Sequence, residues 1–361
     1  MALDPQKPYN DLPPLPPDIE LESPQVLKKA IAANAAVAEL KGILNTIPNP
    51  AILINAIVLQ EAKSSSLIEN VVTTNDKLYQ SAAAISSEID PSTKEVLNYR
   101  EAIWQGYRQL QQRSLLTSNA FIRIVNTIKG NTAGIRTTPG TTIATTSGKI
   151  LYTPPEGETV LRDKLKNLQE FIHDEDDALD PLVKMALVHY QFEAIHPFYD
   201  GNGRTGRIIN ILYLVYKNLL PMPVLYLSKY IIEHKDEYYQ LLRAVTESNE
   251  WKPWILFLLD GIEETAKFTV ELVDNIRMLL SRTAETVKEK LPKIYSRELV
   301  EILFEEPYCR GQNLVQTGIA SRNTASKYLR SMADIGILEQ QRVGKENLYL
   351  NIQLWELLKS S

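Results

Sequence analysis

The chain has 361 residues, 44% of them hydrophobic and 23% charged, with a formal net charge of −5. That is enough chain and apolar content for two or three domains with true cores, and the acidic balance gives no general attraction to nucleic acid. Cys309 is the only cysteine, so an intrachain disulfide is excluded and an oxidising compartment is not implied.

The first residues, Met-Ala-Leu-Asp-Pro, have no basic end and no long apolar stretch, so no signal peptide is expected. No run approaches the roughly 18 apolar residues of a membrane span, and the chain reads as cytoplasmic with no membrane partner. Pro13-Pro-Leu-Pro-Pro17 favours extended polyproline backbone, so residues 1–20 read as a proline-rich strap lying on the surface. From Ser23 to about Glu39 an alanine-rich helix is expected, with Leu27, Ile31, Ala35 and Ala38 on one face. After Pro48 and Pro50 a second helix passes Ile52, Ile54, Ile57 and Leu59. It leads into Ser64-Ser-Ser-Leu-Ile-Glu-Asn70, where Ser65 and Glu69, four apart, share a helix face.

Residues 95–128 read as two more helices, with Leu97, Ile103, Tyr107 and Leu110 among the apolar positions. Gly134, Pro139, Gly140, Thr141, Thr142, Thr145 and Thr146 then break the helical period. The run Gly148 to Pro155 adds a short β-type segment, so a small hairpin is expected here. The acidic run His173 to Asp177 reads as a solvated loop. Asp180 caps the next helix, with Pro181 at its first position and Leu182, Val183, Ala186, Leu187 and Tyr190 as its buried stripe. His189 on this helix reads as a packed structural histidine.

The following stretch, His196-Pro-Phe-Tyr-Asp-Gly-Asn-Gly-Arg-Thr-Gly-Arg207, has the parts needed to hold a nucleotide for attack at phosphorus. Gly201-Asn202-Gly203 leaves backbone N–H groups free at a helix N-terminus, where the helix dipole also favours an anion. Arg204 and Arg207 are three apart and can both serve a polyphosphate. Asp200 is a hard oxygen ligand suited to a magnesium ion that also touches phosphate. His196, with an ordinary pKa of about 6.5, can accept a proton from an attacking hydroxyl near neutral pH.

Beyond Arg207, residues 208–215 are apolar nearly all round, as befits a central buried helix, and Pro221 and Pro223 end it. A helix containing Tyr238 and Tyr239 follows. Trp251, Trp254, Phe257 and Leu258 mark a further packed helix, and residues 262–288 read as a long connecting one. From about Leu291 a separate module is expected, with helices at Ser296 to Phe304, Asn313 to Ile319 and Thr324 to Ile335. Two β-type runs about a Gly344-Lys345 turn close it. Three helices and a hairpin resemble a winged helix-turn-helix, in which Arg322, Lys327, Arg330, Arg342 and Lys345 would meet DNA phosphates. Residues 291–361 carry nine Lys/Arg against eight Asp/Glu, a net of +1. That is thin for phosphate neutralisation, so protein interaction or packing stands beside DNA binding.

The stretch from His196 to Arg207 resembles the Fic signature, His-Pro-Phe-x-(Asp/Glu)-Gly-Asn-Gly-Arg-x-x-Arg, at every fixed position. The resemblance implies a mainly α fold: a Fic helical core over 21–288 with a small β-hairpin flap, and a winged helix-turn-helix domain over 291–361. It implies a protein adenylyltransferase that moves AMP from ATP to a Tyr, Thr or Ser hydroxyl of a target protein. His196 would be the general base, Asp200 would hold Mg²⁺, and Gly201, Asn202, Gly203, Arg204, Thr205, Gly206, Arg207 and Tyr238 would line the ATP site with His196 and Glu69. Ser65-x-x-x-Glu69-Asn70 fits the Fic inhibitory motif (Ser/Thr)-x-x-x-Glu-(Gly/Asn), in the class that carries its inhibitory helix N-terminally in the same chain. Glu69 would pair with Arg207 and so take away the partner of the γ-phosphate. The hairpin would be the flap that aligns a target segment as an added strand, with Ile150, Leu151 and Tyr152 near the nucleotide or target. A homodimer is among the implied partners. Two rival functions remain at this stage: removal of AMP, with Glu69 orienting a water, and a nucleotide-sensing regulator that binds DNA.

Overall fold

Prolines, caps and apolar stripes set where the chain turns. The computed structural model describes residues 4–47, 49–83, 89–113, 115–145, 147–343 and 346–359. Pro48, Thr146 and the Gly344-Lys345 turn lie outside the described residues, as does the side chain of Ile54. The proline-rich segment is a strap with Leu12 and Leu15 turned into the core. Lacking regular structure, it satisfies its backbone on other elements: Asn167 exchanges hydrogen bonds with both the N–H (2.9 Å) and carbonyl (3.1 Å) of Leu15. Lys164 and Gln191 donate to the carbonyls of Leu12 and Pro13 at 2.8 Å each.

Helix α1 (Pro24–Leu44) starts on Ser23 with Pro24 in its first turn and runs five residues past the expected end. α2 (Pro50–Ile68) starts on Asn49 and continues unbroken through Ser65, ending with Glu69 as its C-cap and Asn70 in the left-handed region (φ 61°). Against the expectation that no run is long and apolar enough to cross a bilayer, α2 is so by length and composition. Most of it is instead buried inside the fold. α3 (Asn75–Ala83) was not expected. α4 (Pro91–Arg113) and α5 (Ser118–Lys129) are the expected pair, with Thr117 capping α5 and Gly130 ending it. A two-stranded hairpin of β1 (Ile143–Ala144) and β2 (Ile150–Tyr152) follows, paired antiparallel with an irregular register.

α6 (Glu158–His173) was missed. Its apolar positions Leu161, Leu165, Leu168, Phe171 and Ile172 follow a clear helical spacing and are buried. α7 (Pro181–Ile195) and α8 (Asn202–Tyr216) are buried on nearly every side, and α4, α5 and α7 pack around α8. α9 (Leu227–Glu233) and α10 (Lys235–Ser248) lead to α11 (Trp251–Lys290), a single 40-residue helix where two were expected. Gly261, about three turns into the helix, lies against the ring of Tyr230 and serves close packing instead of a break.

The C-terminal part contains α12 (Arg297–Glu305), β3 (Tyr308–Cys309), α13 (Gly311–Gln316), α14 (Arg322–Asp334), β4 (Leu338–Val343), β5 (Glu346–Asn351) and α15 (Ile352–Lys359). The strands form one antiparallel sheet in the order β3-β5-β4, with Gln340 opposite Tyr349. β3 and α15 were not expected. This part packs on α2, α3 and α4: Asn49 donates to Glu305 (2.9 Å), Gln60 to the carbonyl of Leu358 (2.8 Å) and Arg100 to Glu306 (3.0 Å). Tyr79 and Trp355 meet edge to face at 5.5 Å.

Candidate active site

The turn between α7 and α8 is shaped by backbone requirements first. Pro197 cannot continue α7, and His196 before it adopts left-handed backbone (φ 48°), which swings its side chain off the helix axis. Asn202 then ties the turn shut: its carbonyl oxygen accepts from Phe198 N–H (2.9 Å) and its amide donates to Phe198 C=O (2.8 Å). Gly201 has φ 83°, a conformation open to glycine at no steric cost, and it sets the first N–H groups of α8 facing outward. Arg136, 1% exposed, fastens the turn from behind. Its guanidinium donates to the carbonyls of His196 (2.8 Å), Ile195 (3.4 Å) and Pro155.

The two arginines of α8 do not share one task. Arg207 points toward α2, where Nε donates to the Ser65 hydroxyl (2.7 Å) and Nη2 to the Ser65 carbonyl (2.9 Å) and Glu69 Oε1 (2.9 Å). Glu69 Oε1 also lies directly over Gly203, where any Cβ would collide with it. Arg204, 2% exposed, points the other way, onto Glu95 of α4 and, at 3.5 Å, Asp200. Lys129, the last residue of α5, sits 2.6 Å from both Glu95 and Asp200. The pair of arginines therefore flanks the free helix end from two sides.

Electrostatics follow from burial. Desolvation, with the Arg136 charge, pushes the His196 imidazole down to about 4, so it is neutral at physiological pH and its lone pair is available. Burial would raise Glu69, but Arg207 overcomes this and holds its carboxyl below the usual range. Glu193, one turn before His196, is pushed up to about 8 by burial, and its Oε1 has no partner among the described residues. Asp200 and Glu95 resist the same burial because Lys129 and Arg204 hold them low.

Asp200 is the residue whose carboxylate could hold a metal. No cluster of three or more His, Cys, Asp or Glu exists among the described residues. Its carboxylate is 63% exposed, and Gly201 N–H donates to Oδ1 at 2.6 Å, fixing its direction. One oriented carboxylate fits magnesium, which draws most of its ligands from water and phosphate, and does not make an all-protein cage.

Thus His196, Asp200, Gly201, Gly203, Arg207, Ser65 and Glu69 converge. Other expected residues do not bring side chains to that space. The Thr205 hydroxyl is spent on the Gly201 carbonyl (2.8 Å), and Gly206 faces Glu193 and Phe192. Tyr238 is 1% exposed, its hydroxyl 2.9 Å from His189 Nε2, while its neighbour Tyr239 is the exposed one. His189 stacks on Trp254 and is pushed down to about 3 by burial, as a packed histidine would be. In the hairpin, Tyr152 turns inward to the Ala194 carbonyl (2.9 Å), leaving Ile150 and Leu151 partly exposed. Arg136, Glu95 and Lys129 escaped sequence reading because each reaches the site from an element remote in sequence. Glu193 carried a visible signal, a lone carboxylate in the apolar run before His196.

Residues 27–108 match the Fic/DOC family N-terminal region, residues 115–214 the Fic/DOC family, and residues 279–354 the C-terminal domain of protein adenylyltransferase SoFic-like. Among curated proteins, protein adenylyltransferase Fic of Drosophila willistoni is 29% identical over 153 residues, covering 41% of this chain and 29% of that protein. Protein adenylyltransferase fic-1 of Caenorhabditis elegans is 30% identical over 108 residues, covering 30% and 20%. The chain thus spans less than a third of these relatives. A Fic family protein of Desulfovibrio desulfuricans superimposes with a TM-score of 0.57 at 17% identity, over 91% of this chain and 96% of that one. Fic-1 of C. elegans, residues 134–508, gives 0.52 at 20% identity, over 70% and 74%. These likenesses establish the fold: mostly helical, with small antiparallel sheets.

Proposed function

The chain belongs to the Fic/DOC family, and from that premise we propose that it is a protein adenylyltransferase, moving AMP from ATP to a Tyr, Thr or Ser hydroxyl of a target protein. The observation that carries this reading is His196 at the end of α7, beside the N-terminus of α8, whose arginine, Arg207, is held by a removable carboxylate. His196 takes the proton as the target oxygen bonds to the α-phosphorus, and the bond to pyrophosphate breaks. The free N–H groups at the start of α8 receive phosphate oxygens, and Arg207 and Arg204 hold the remaining charge. Mg²⁺ at Asp200 would neutralise charge on the phosphates. Gly203 lets the phosphates approach the backbone closely.

Glu69 opposes all this. It occupies both Arg207 and the space over Gly203, so the γ-phosphate and Glu69 exclude one another. As a carboxylate that can accept a hydrogen bond from a water and so orient it, Glu69 also supports AMP removal as the second reading. We read residues 21–288 as the Fic unit and 291–361 as a winged helix-turn-helix, since α12, α13 and α14 precede the β4–β5 hairpin. An ATP-using enzyme with its single thiol buried suits a cytoplasmic setting.

The test follows label from α-³²P-ATP with Mg²⁺ onto protein, using wild type, Glu69→Gly and Glu69→Gly/His196→Ala with lysate present. Strong labelling by Glu69→Gly alone is the expected result. Label in the double variant would remove His196 from its role. Silence from Glu69→Gly, with release of AMP from pre-labelled protein by wild type, would favour the second reading.

A further inference from the structure

We propose that Lys129 holds the cation position at Asp200 while no divalent metal is bound, and yields it by withdrawing onto Glu95. The proposal rests on the reading of Asp200 as a metal carboxylate. Four groups of alternating sign form a closed ring. Lys129 Nζ is 2.6 Å from Asp200 Oδ2 and 2.6 Å from Glu95 Oε1; that same Glu95 oxygen meets Arg204, and Arg204 returns to Asp200 Oδ1 at 3.5 Å. The ring sums to zero charge.

The geometry makes Lys129 a competitor instead of a bystander. Gly201 N–H occupies Oδ1, so Oδ2 is the Asp200 oxygen left for a metal, and it is the one the ammonium covers. Two cations on one oxygen repel, here partly screened by water because the Asp200 carboxylate is mostly exposed. The aliphatic stem of Lys129 lies beside Gly201, within ordinary contact distance of where a Cβ would stand, so the ammonium can shift only locally. Glu95 supplies the place to shift to, since it already shares the ammonium. Once a divalent ion joins the neutral ring, the site carries an excess of positive charge, which phosphates relieve. Lys129 thereby couples metal occupancy to nucleotide occupancy and keeps Asp200 oriented in between.

The experiment measures Mn²⁺ binding to the full chain by electron paramagnetic resonance of the free ion, without nucleotide and with no turnover. Lys129→Met should tighten Mn²⁺ by about three- to tenfold, the size of a partly exposed ion pair. Lys129→Arg should bring no such gain. Glu95→Gln should weaken binding by a similar factor, because the ammonium loses its alternative partner. In an Asp200→Asn background the Lys129→Met gain should vanish. Unchanged or weaker binding in Lys129→Met, or a gain that persists with Asp200→Asn, overturns the proposal while leaving Asp200 as ligand. If Asp200→Asn itself binds Mn²⁺ as wild type does, the metal reading of Asp200 falls and this inference with it. Should Lys129→Met lose its fold, Lys129→Gln carries the same expectation.

Discussion

Arg207 is 1% exposed and depends on Ser65 and Glu69 for its partners, so removing the carboxylate leaves a buried charge only partly satisfied. Glu69→Gly should cost about 1–3 kcal/mol in stability without nucleotide. The same variant should gain more in Tm from ATP than wild type does, because phosphate can replace the lost carboxylate. An equal ATP-induced shift in both proteins would contradict the mutual exclusion. His196 and Glu193 predict opposite pH behaviour. The folded-state pKa of His196 lies below its unfolded value, so the unfolded chain binds more protons between about pH 4 and 6.5 and this residue lowers stability there as pH falls. Transfer should accordingly hold level from pH 8 down to about 5, and an NMR midpoint for His196 near 6.5 would contradict the neutral base. Glu193 is raised, so its contribution is complete below about 4.5 and lost as pH rises through about 8. Relative to wild type, Glu193→Gln should therefore rise in Tm as pH climbs from 5 to 8.5, and a pH-independent difference would show that Glu193 titrates normally. At this scale the sequence pointed to His196 and Asp200 by the chemistry of their residue types, and to Ser65 and Glu69 only by resemblance to an inhibitory motif. It could not show that Arg204 and Arg207 part company, because that depends on Glu95 and Ser65 arriving from opposite sides.

Among elements, the hairpin is the part whose position depends most on a few polar contacts. Arg136 joins the carbonyls of Pro155, Ile195 and His196, Tyr152 reaches Ala194, and Tyr199 accepts from Thr137 N–H at 2.9 Å. Arg136→Met would leave several buried carbonyls without their donor, at about 2 kcal/mol or more, and should cut transfer at least tenfold. Tyr152→Phe, losing one bond, should cost about 1 kcal/mol and speed amide exchange in 143–152 while sparing most activity. Equal losses from both would mean that the hairpin, and not the His196 carbonyl, is what Arg136 serves. The hairpin itself was legible from its glycines, prolines and threonines. Its anchoring was not, since an arginine in such a run carries no periodic signal. α3 and α6 were missed for different reasons: α3 is short, whereas the stripe of α6 was there to be read.

Across the whole molecule, the C-terminal part and the pair Ser65 and Glu69 meet through one helix. α2 receives Glu305 at its N-cap and Leu358 midway, then presents Ser65 and Glu69 at its other end. Arg100→Met would break the Glu306 pair, which is about one-fifth exposed on each side, and should cost about 1–3 kcal/mol. If the C-terminal part steadies α2, that loss should raise basal labelling severalfold; unchanged labelling at reduced stability would make the contact purely structural. α11 makes the other connection, packing along α1 and α7 and then meeting α12 and α15. Being one uninterrupted helix, it fixes azimuth as well as distance between its ends. Each inserted residue would advance the far end by about 1.5 Å and about 100°, so two extra residues would turn the C-terminal part by about 200°. Four would turn it by only about 40°. Changes of length in this helix are therefore graded by phase, and those far from a whole number of turns should be the ones that part α15 from Gln60.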